Sequence, residues 1–139
     1  MQSSYTILVI ILSVTSGTLA FSLDSTERVP VSNPKIVNAL GIEIDYLTVD
    51  HQVQITGDVS NAQDIEQPFV FIVQIKNQQD AVVSLSWISG SLFPDQTFTP
   101  AVSWTPNSSG EYKIQMFVWR SLSDADALSP MLEISAFIN

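Results

Sequence analysis

The sequence predicts an all-β fold, a Greek-key sandwich of two sheets with about seven strands. Apolar and polar residues alternate with period two in several stretches, and these stretches recur along the chain at intervals typical of strands. No 3.6-residue periodicity extends over a useful length after the first twenty residues. The connecting segments are rich in Asn, Asp, Ser, Gly and Pro, which favour turns. A closed barrel is the alternative arrangement of the same strands.

An apolar segment precedes this domain. Residues 1–20 contain no charged side chain, and Ile7–Val14 is almost continuously apolar. Thr18 and Ala20 are small enough for the −3 and −1 positions of a signal-peptidase site, so we expect a hydrophobic signal helix that is cleaved after Ala20. An uncleaved membrane anchor is the alternative, because the apolar segment spans about 17 residues. In either case the rest of the chain is expected to be exported, secreted or held at the outer face of the cell envelope.

Residues 21–40 are predicted to be an extended linker, and residues 41–139 the sandwich domain. The linker prediction depends on Pro30, Pro34 and the lack of sustained alternation. The alternating apolar rows of the domain are Ile42/Ile44/Tyr46, Val53/Ile55/Gly57/Val59, Phe69/Phe71/Val73/Ile75, Val83/Leu85/Trp87, Phe98/Val102/Trp104, Tyr112/Ile114/Met116/Val118 and Leu132/Ile134/Ala136/Ile138. The strand that begins at Phe69 has the most apolar start and should be central. Pro100 cannot donate a hydrogen bond, so its strand should be an edge or be bulged there.

Composition excludes several function classes. The 139 residues include 14 acidic and 5 basic side chains, a net charge of −9. Nucleic acid is excluded as a partner because phosphate binding needs clustered basic residues, and membrane contact is expected only through residues 1–20 if they are retained. With no cysteine and one histidine, His51, neither a thiol nucleophile nor a cysteine zinc site can form. We therefore predict no catalytic residue, no cofactor and no enzyme, with His51 facing solvent beside a strand.

The stretch from Ser91 to Trp119 supports a more specific resemblance. Its informative residues are Leu92, Pro94, Gln96, Ser103, Trp104, Thr105, Pro106, Gly110 and Tyr112. Together they resemble the immunoglobulin-like modules of secreted and cell-surface proteins, in particular archaeal modules close to the CARDB-type, adhesion-related domains. Gly110 supplies a turn, and the Tyr112 hydroxyl can bond to upstream backbone as in a tyrosine corner. The resemblance covers about residues 40–139 and implies binding or structure rather than catalysis.

A candidate binding patch lies out of phase with the core rows. Val70, Ile72, Phe117 and Trp119 fall on the outer face of two strands that are neighbours in an immunoglobulin-like topology, so they could form one exposed apolar surface. The alternative is that the linker, or the loop with Ala127 and Leu128, covers them.

Two further sites are weaker candidates. Asn107 begins an N-x-[ST] sequon in an expected surface turn, and glycosylation there requires an organism with that pathway. Asp124 and Asp126 could offer oxygens to Ca²⁺, although no complete calcium-loop motif is present and a solvated acidic loop is favoured. We assign no metal site.

These features favour a non-catalytic cell-surface module that binds an unidentified protein or carbohydrate partner, for example in adhesion. The alternative is a self-assembling filament or surface-layer subunit, in which the N-terminal segment from Phe21 to Asn38 adds a strand to the next copy. A hydrolase or metal enzyme is disfavoured by the single histidine and the lack of cysteine.

Overall fold

The computed structural model describes residues 23–139. The predicted signal segment, residues 1–20, lies outside the described residues. Within residues 23–139, no helix is both long enough and apolar enough to span a membrane.

A single helical turn and eight strands make up the described chain, so the all-β prediction is confirmed. The turn is the 3-10 segment Ser25–Glu27. The strands are β1 (Val31–Val37), β2 (Val53–Ser60), β3 (Gln67–Lys76), β4 (Val82–Leu92), β5 (Thr97–Phe98), β6 (Ala101–Trp104), β7 (Gly110–Trp119) and β8 (Leu132–Ile138).

The strands form two antiparallel sheets. In the first sheet β2 is central, with β1 on one side and both β5 and β6 on the other. The second sheet has the order β4-β3-β7-β8, so the predicted central position of β3 is confirmed. Pro100 separates β5 from β6 at the edge of the first sheet, as expected for a residue that lacks an N–H.

The core lies between the two sheets. The apolar rows predicted for β3 and β7 are buried, and Phe71, Ile114 and Met116 are fully buried. Gly57 of β2 lets the sheets approach closely, because a Cβ there would lie 3.0 Å from Val31 Cγ2 and 3.2 Å from Met116 Sδ. Any side chain at this position would have to push the sheets or their side chains apart.

The linker prediction is wrong for residues 31–37, which form β1 and pair with β2. Prolines at the start of the chain suggested an irregular segment. The structure accommodates Pro34 by a register shift between Ser32 and Lys35, on an edge strand where a missing N–H is tolerated. Because this segment pairs with β2 of its own domain, it is not a free strand for donation to another copy.

The prediction of a strand at Ile42, Ile44 and Tyr46 is also wrong. Only isolated bridges occur there, between Val37 and Glu43 and between Leu47 and Ile138. Ile42 and Tyr46 are exposed, and Ile44 packs partly against the core. The short alternation therefore belongs to a loop that crosses from one sheet to the other.

The phase of β4 differs from the expected one. Its pairing with β3 places Trp87 opposite Ile72 and Leu85 opposite Gln74, on the outer face of the second sheet. Ile88 packs against the core instead. The alternation predicted the strand correctly but assigned Leu85 and Trp87 to the core face, whereas they lie on the outer face. The core face of this edge strand carries small serines, which lie half-buried at the margin of the core.

The turn before β7 forms the predicted tyrosine corner. The Tyr112 hydroxyl donates to the Ser108 backbone carbonyl at 2.8 Å and lies 2.7 Å from the Ser108 hydroxyl. The Tyr112 ring packs edge-on against Trp104, with 5.2 Å between ring centroids. Gly110 adopts a φ of 138°, which side chains disfavour. These contacts connect the end of the first sheet to the start of β7.

We expect Tyr112→Phe to lower the free energy of unfolding by about 1 kcal/mol, because it removes a part-buried hydrogen bond while keeping the ring. Tyr46→Phe is the matched control, since Tyr46 is fully on the surface, and it should leave stability unchanged. Urea unfolding followed by tryptophan fluorescence measures both. Equal effects in the two variants would contradict a stabilising role for the corner.

Candidate functional site

The four predicted patch residues lie together on the outer face of the second sheet. In the pairing of β3 with β7, Val70 is opposite Trp119 and Ile72 is opposite Phe117. The Phe117 and Trp119 rings meet edge-on, with their centroids 6.0 Å apart. The period-two alternation of the two strands brings these four side chains to one face.

Exposure differs among the four residues. Val70 and Ile72 are 0% and 5% exposed, while Phe117 and Trp119 are partly buried. Val70 and Ile72 are therefore not contact residues, which corrects the expectation that all four are exposed. The physical reason is that the large rings of neighbouring strands cover the aliphatic side chains of the central strand.

Three residues that the sequence did not assign complete the surface. Leu85 and Trp87 of β4 and Leu122 of the loop between β7 and β8 are each about half exposed. With Ile72, Gln74, Phe117 and Trp119 they line a mostly apolar groove of about 220 Å³. We call this the outer groove. Leu85 and Trp87 were missed because their row was assigned to the core, although a tryptophan in a serine-rich edge strand was a signal for exposure.

Polar groups border the outer groove on one side. The Gln74 side-chain amide donates to the Gln115 side-chain oxygen at 3.0 Å, across the β3–β7 pair. The two amides keep further donor and acceptor capacity beside the aromatic rings. A surface with ring faces and neighbouring amides can contact both apolar and hydroxyl-bearing partners.

Within residues 23–139 neither predicted cover closes the groove, although Ala127 of the second one pairs with Trp119 in an isolated bridge. In the described part of the linker, β1 belongs to the other sheet. Leu128 is fully buried within the core, and its backbone N–H donates to the Val118 carbonyl at 2.8 Å. The loop that contains Leu128 instead supplies Leu122 as one wall. Within residues 23–139 the Trp87 ring is thus left half exposed, and the Phe117 and Trp119 rings are partly exposed.

The acidic loop is held by arginine residues. Arg28 Nη2 lies 2.7 Å from Asp126 Oδ1, and Arg120 Nη1 lies 3.8 Å from Asp124 Oδ2. The hydrogen bond from Arg28 lowers the pKa of Asp126, partly opposed by desolvation. No group of three or more His, Asp or Glu side chains within residues 23–139 is arranged to hold a metal ion. The Asp126 carboxylate therefore anchors the N-terminal turn to this loop.

A second carboxylate, that of Asp58, stabilises the first sheet. Asp58 of β2 accepts hydrogen bonds from the Thr99 hydroxyl at 2.7 Å and the Asn33 amide at 3.1 Å. Both hydrogen bonds lower the pKa of Asp58, and the bond from Thr99 has the larger effect. The positive charge of Lys35 lowers this pKa by a smaller amount. Asp58 thereby joins β1 and the segment between β5 and β6 to the central strand.

His51 and Asn107 are both at the surface. His51 lies just before β2, with its Nδ1 atom 3.1 Å from the Val49 carbonyl, as expected for a solvent-facing residue beside a strand. Asn107 is exposed in the turn before β7, as expected for a sequon in a surface turn. Use of this sequon stays a prediction.

We expect the Arg28–Asp126 pair to contribute stability at neutral pH that is lost on acidification. The folded pKa of Asp126 lies below its unfolded value of about 4, so the contribution is complete above that pH and disappears as pH falls through the folded pKa. Asp126→Asn should flatten this part of the pH dependence, and urea midpoints between neutral pH and about pH 2 measure it.

Asp45→Asn is the matched control for this experiment. Asp45 is exposed and makes no ion pair among residues 23–139. It should retain the acid dependence of the unchanged chain. An Asp126→Asn variant with the same acid dependence would show that the pair contributes no stability.

The two packed antiparallel sheets define the class of protein, an immunoglobulin-like β-sandwich module. The chain belongs to the S-layer A-like family, whose model matches residues 12–129. This membership indicates a cell-surface or extracellular location and a structural or binding role. Among curated proteins, none matches this chain by sequence.

Solved structures with similar folds support the sandwich assignment. The C-terminal domain of Wzt is 14% identical, with a TM-score of 0.64 over 82% of this chain and 75% of that domain. The CARDB domain of a Pyrococcus furiosus protein, solved in complex with di-metal ions, is 16% identical, with a TM-score of 0.57 over 84% and 97% of the two chains. The predicted CARDB-type resemblance is therefore confirmed at the level of fold.

The same fold also occurs as part of larger enzymes. A β-glucosidase from Listeria innocua is 10% identical, with a TM-score of 0.56, and covers 80% of this chain but only 16% of the enzyme. The likeness is thus to one domain of that protein. At this identity it shows a shared fold and no shared activity.

Proposed function

We propose that this chain is a non-catalytic structural subunit of a protein layer on the outside of the cell, held there through its outer groove. The observation that carries this proposal is the match of the S-layer A-like family model to residues 12–129. The predicted export segment at residues 1–20 is consistent with such a location. The proposal selects the surface-layer alternative raised by the sequence over adhesion.

The outer groove is the surface best suited to hold a neighbour. Trp87, Leu85 and Leu122 are half exposed, although large apolar side chains gain free energy when they leave water. Aromatic residues in a depression are the usual anchors of protein contacts, and the amides of Gln74 and Gln115 provide a polar border. The remaining rings, Phe117 and Trp119, are already packed on the sheet and need little ordering on binding.

Assembly by donation of residues 31–37 is not part of this proposal. That segment forms β1 and pairs with β2 along most of its length. Donating it would remove Ile36 and Val37 from buried positions in the same domain. Contact between folded subunits avoids this loss.

A carbohydrate partner is the second candidate, favoured by the combination of Trp87, Phe117 and Trp119 with the Gln74–Gln115 amide pair. Aromatic rings can lie against the C–H faces of a sugar ring while amides bond to its hydroxyls. This candidate keeps the cell-surface role and changes only the class of partner.

Location at the cell surface is tested with Ser123→Cys in the full chain. The chain has no cysteine, so this exposed loop position carries the single thiol. A membrane-impermeant maleimide added to intact cells should label it. Ser129→Cys is the control, because Ser129 is 4% exposed and should stay unlabelled in the folded chain. Labelling of Ser123→Cys only after lysis would contradict the proposal.

The role of the outer groove is tested with Trp87→Gln. We expect this variant to shift from the envelope fraction to the medium, because it removes a half-exposed anchor with little effect on the core. Phe137→Gln is the matched control, since Phe137 is an exposed aromatic on the edge strand β8 of the same sheet, and it should stay with the envelope.

Retention of Trp87→Gln at the level of the unchanged chain would exclude the outer groove as the contact. Equal release of Phe137→Gln would show that any exposed ring contributes. If enzymatic removal of envelope glycans releases the unchanged chain while protein contacts persist, the partner is carbohydrate.

A further inference from the structure

The edge strands of the two sheets differ in how they are protected. β1 and β5/β6 border the first sheet, and β4 and β8 border the second. The outer backbone groups of an edge strand can pair with a strand from another molecule. Proteins usually prevent this with proline, charged side chains, bulges, short strands or a covering segment.

Three of these edges carry such protection. β1 contains Pro34 and Lys35 and a register shift at the same place. β5 and β6 have two and four residues and are separated by Pro100. β8 carries Glu133, and its end is covered by the loop between β1 and β2, where Leu47 bridges to Ile138.

β4 lacks these features. It is an eleven-residue strand, Val82–Leu92, with no charged residue and no proline. Its one register shift is at the first residue, Val82. Gly90 lacks a side chain, but the Phe69 ring of the neighbouring strand β3 packs over it, 3.4 Å from where a Cβ would lie. This packing compensates for the weakening of β4 by the glycine. No charged side chain lies between Asp80 and Asp95, so this edge is neutral along its whole length.

Part of β4 is shielded at its start. Val83 and Ser84 line a cleft together with Ser103 and Trp104 of β6. The section from Leu85 onward has no hydrogen-bonded strand on its outer side among residues 23–139. This section is long enough for a short antiparallel ladder, since strands of five or six residues are common in sheets.

We propose that β4 pairs antiparallel with β4 of a second copy of this chain about a two-fold axis, which joins the two four-stranded sheets into one sheet of eight strands. An antiparallel strand is complementary to itself under two-fold symmetry. The neutrality of β4 favours a second copy as occupant, because no like charges are brought opposite each other. The same pairing through β8 would place Glu133 near Glu133 of the second copy, so that two like charges would repel each other.

The apolar surface is continuous with this edge. Leu85 and Trp87 are walls of the outer groove and belong to β4 itself. Pairing would bring the Leu85 and Trp87 side chains of the second copy to the same face, next to those of the first. The half-exposed Leu85 and Trp87 side chains would then lose contact with water on both sides of the axis. This inference does not require the proposed cell-surface role.

Single-cysteine cross-linking tests the pairing in the full chain, which has no native cysteine. Ser86→Cys, Ser89→Cys and Ser91→Cys place one thiol at successive points of β4. A bis-maleimide that spans roughly 10 Å, about three residues of a strand, should yield covalent dimers, with the highest yield at the position nearest the axis. Ser135→Cys, on the exposed edge strand β8 of the same sheet, is the matched control and should remain monomeric.

A charge placed on the edge provides the second test. Ser89→Lys, combined with the Ser86→Cys reporter, should abolish the cross-linked dimer because two lysines would meet near the axis. Ser135→Lys with the same reporter should retain it. Both substitutions are at exposed positions, and circular dichroism confirms that each variant is folded.

Three results would each overturn the pairing. The first is that Ser135→Cys forms dimers as abundant as those of the β4 positions, and the second is that none of the three β4 positions forms a dimer. The third is that the dimer persists in the Ser89→Lys variant. These outcomes are separate from the test of cellular location. A surface-exposed chain that does not cross-link through β4 would leave the proposed function intact, while a cross-linked chain found only inside the cell would refute the function and keep the pairing.

Discussion

The burial of β3 on both faces is the constraint on which the rest of the structure depends. Its inner row, with Phe71 and Ile75, fills the space between the sheets. Its outer residues Val70 and Ile72 are also buried, although residues 23–139 contain no third layer of secondary structure over them. With no disulfide available, the fold relies on this burial, and aromatic side chains of the adjacent strands must provide the outer cover.

This arrangement divides the outer groove into two kinds of residue. Phe117 and Trp119 are partly buried and cover the aliphatic floor, so their loss would expose Val70 and Ile72 to water as well as alter the surface. Trp87 and Leu85 lie on the edge strand and remain half exposed, so they contribute less to the domain itself. A contact made through Trp87 can therefore change without undoing the central strand, and this separation makes the groove suitable as a binding surface.

Much of the fold could be predicted from the sequence because alternation is unambiguous in strands with one apolar face. The rows of β3 and β7, the interruption at Pro100 and the bond of the Tyr112 hydroxyl to upstream backbone all followed from local patterns. β1 could not be recognised, because an edge strand with a bulge tolerates Pro34 and shows no alternation across it. The face of β4 was missed for a related reason, since its serines are small enough to lie at the margin of the core. For the same reason the sequence identified Ile72, Phe117 and Trp119 of the groove and missed its half-exposed β4 residues, Leu85 and Trp87.

The distribution of charge explains how an acidic domain can still present neutral contact surfaces. Of the 14 acidic residues, only Asp58, Glu111 and Glu133 lie in strands, and the other 11 are in loops, turns and the short 3-10 segment. Repulsion between copies is therefore strongest where loops approach each other and weakest along the strands. The neutral edge of β4 and the outer groove beside it form one continuous region without a carboxylate in its lining. Two copies that approach each other can reduce the repulsion between their acidic loops by meeting along this region, so the charge pattern favours a direction of approach.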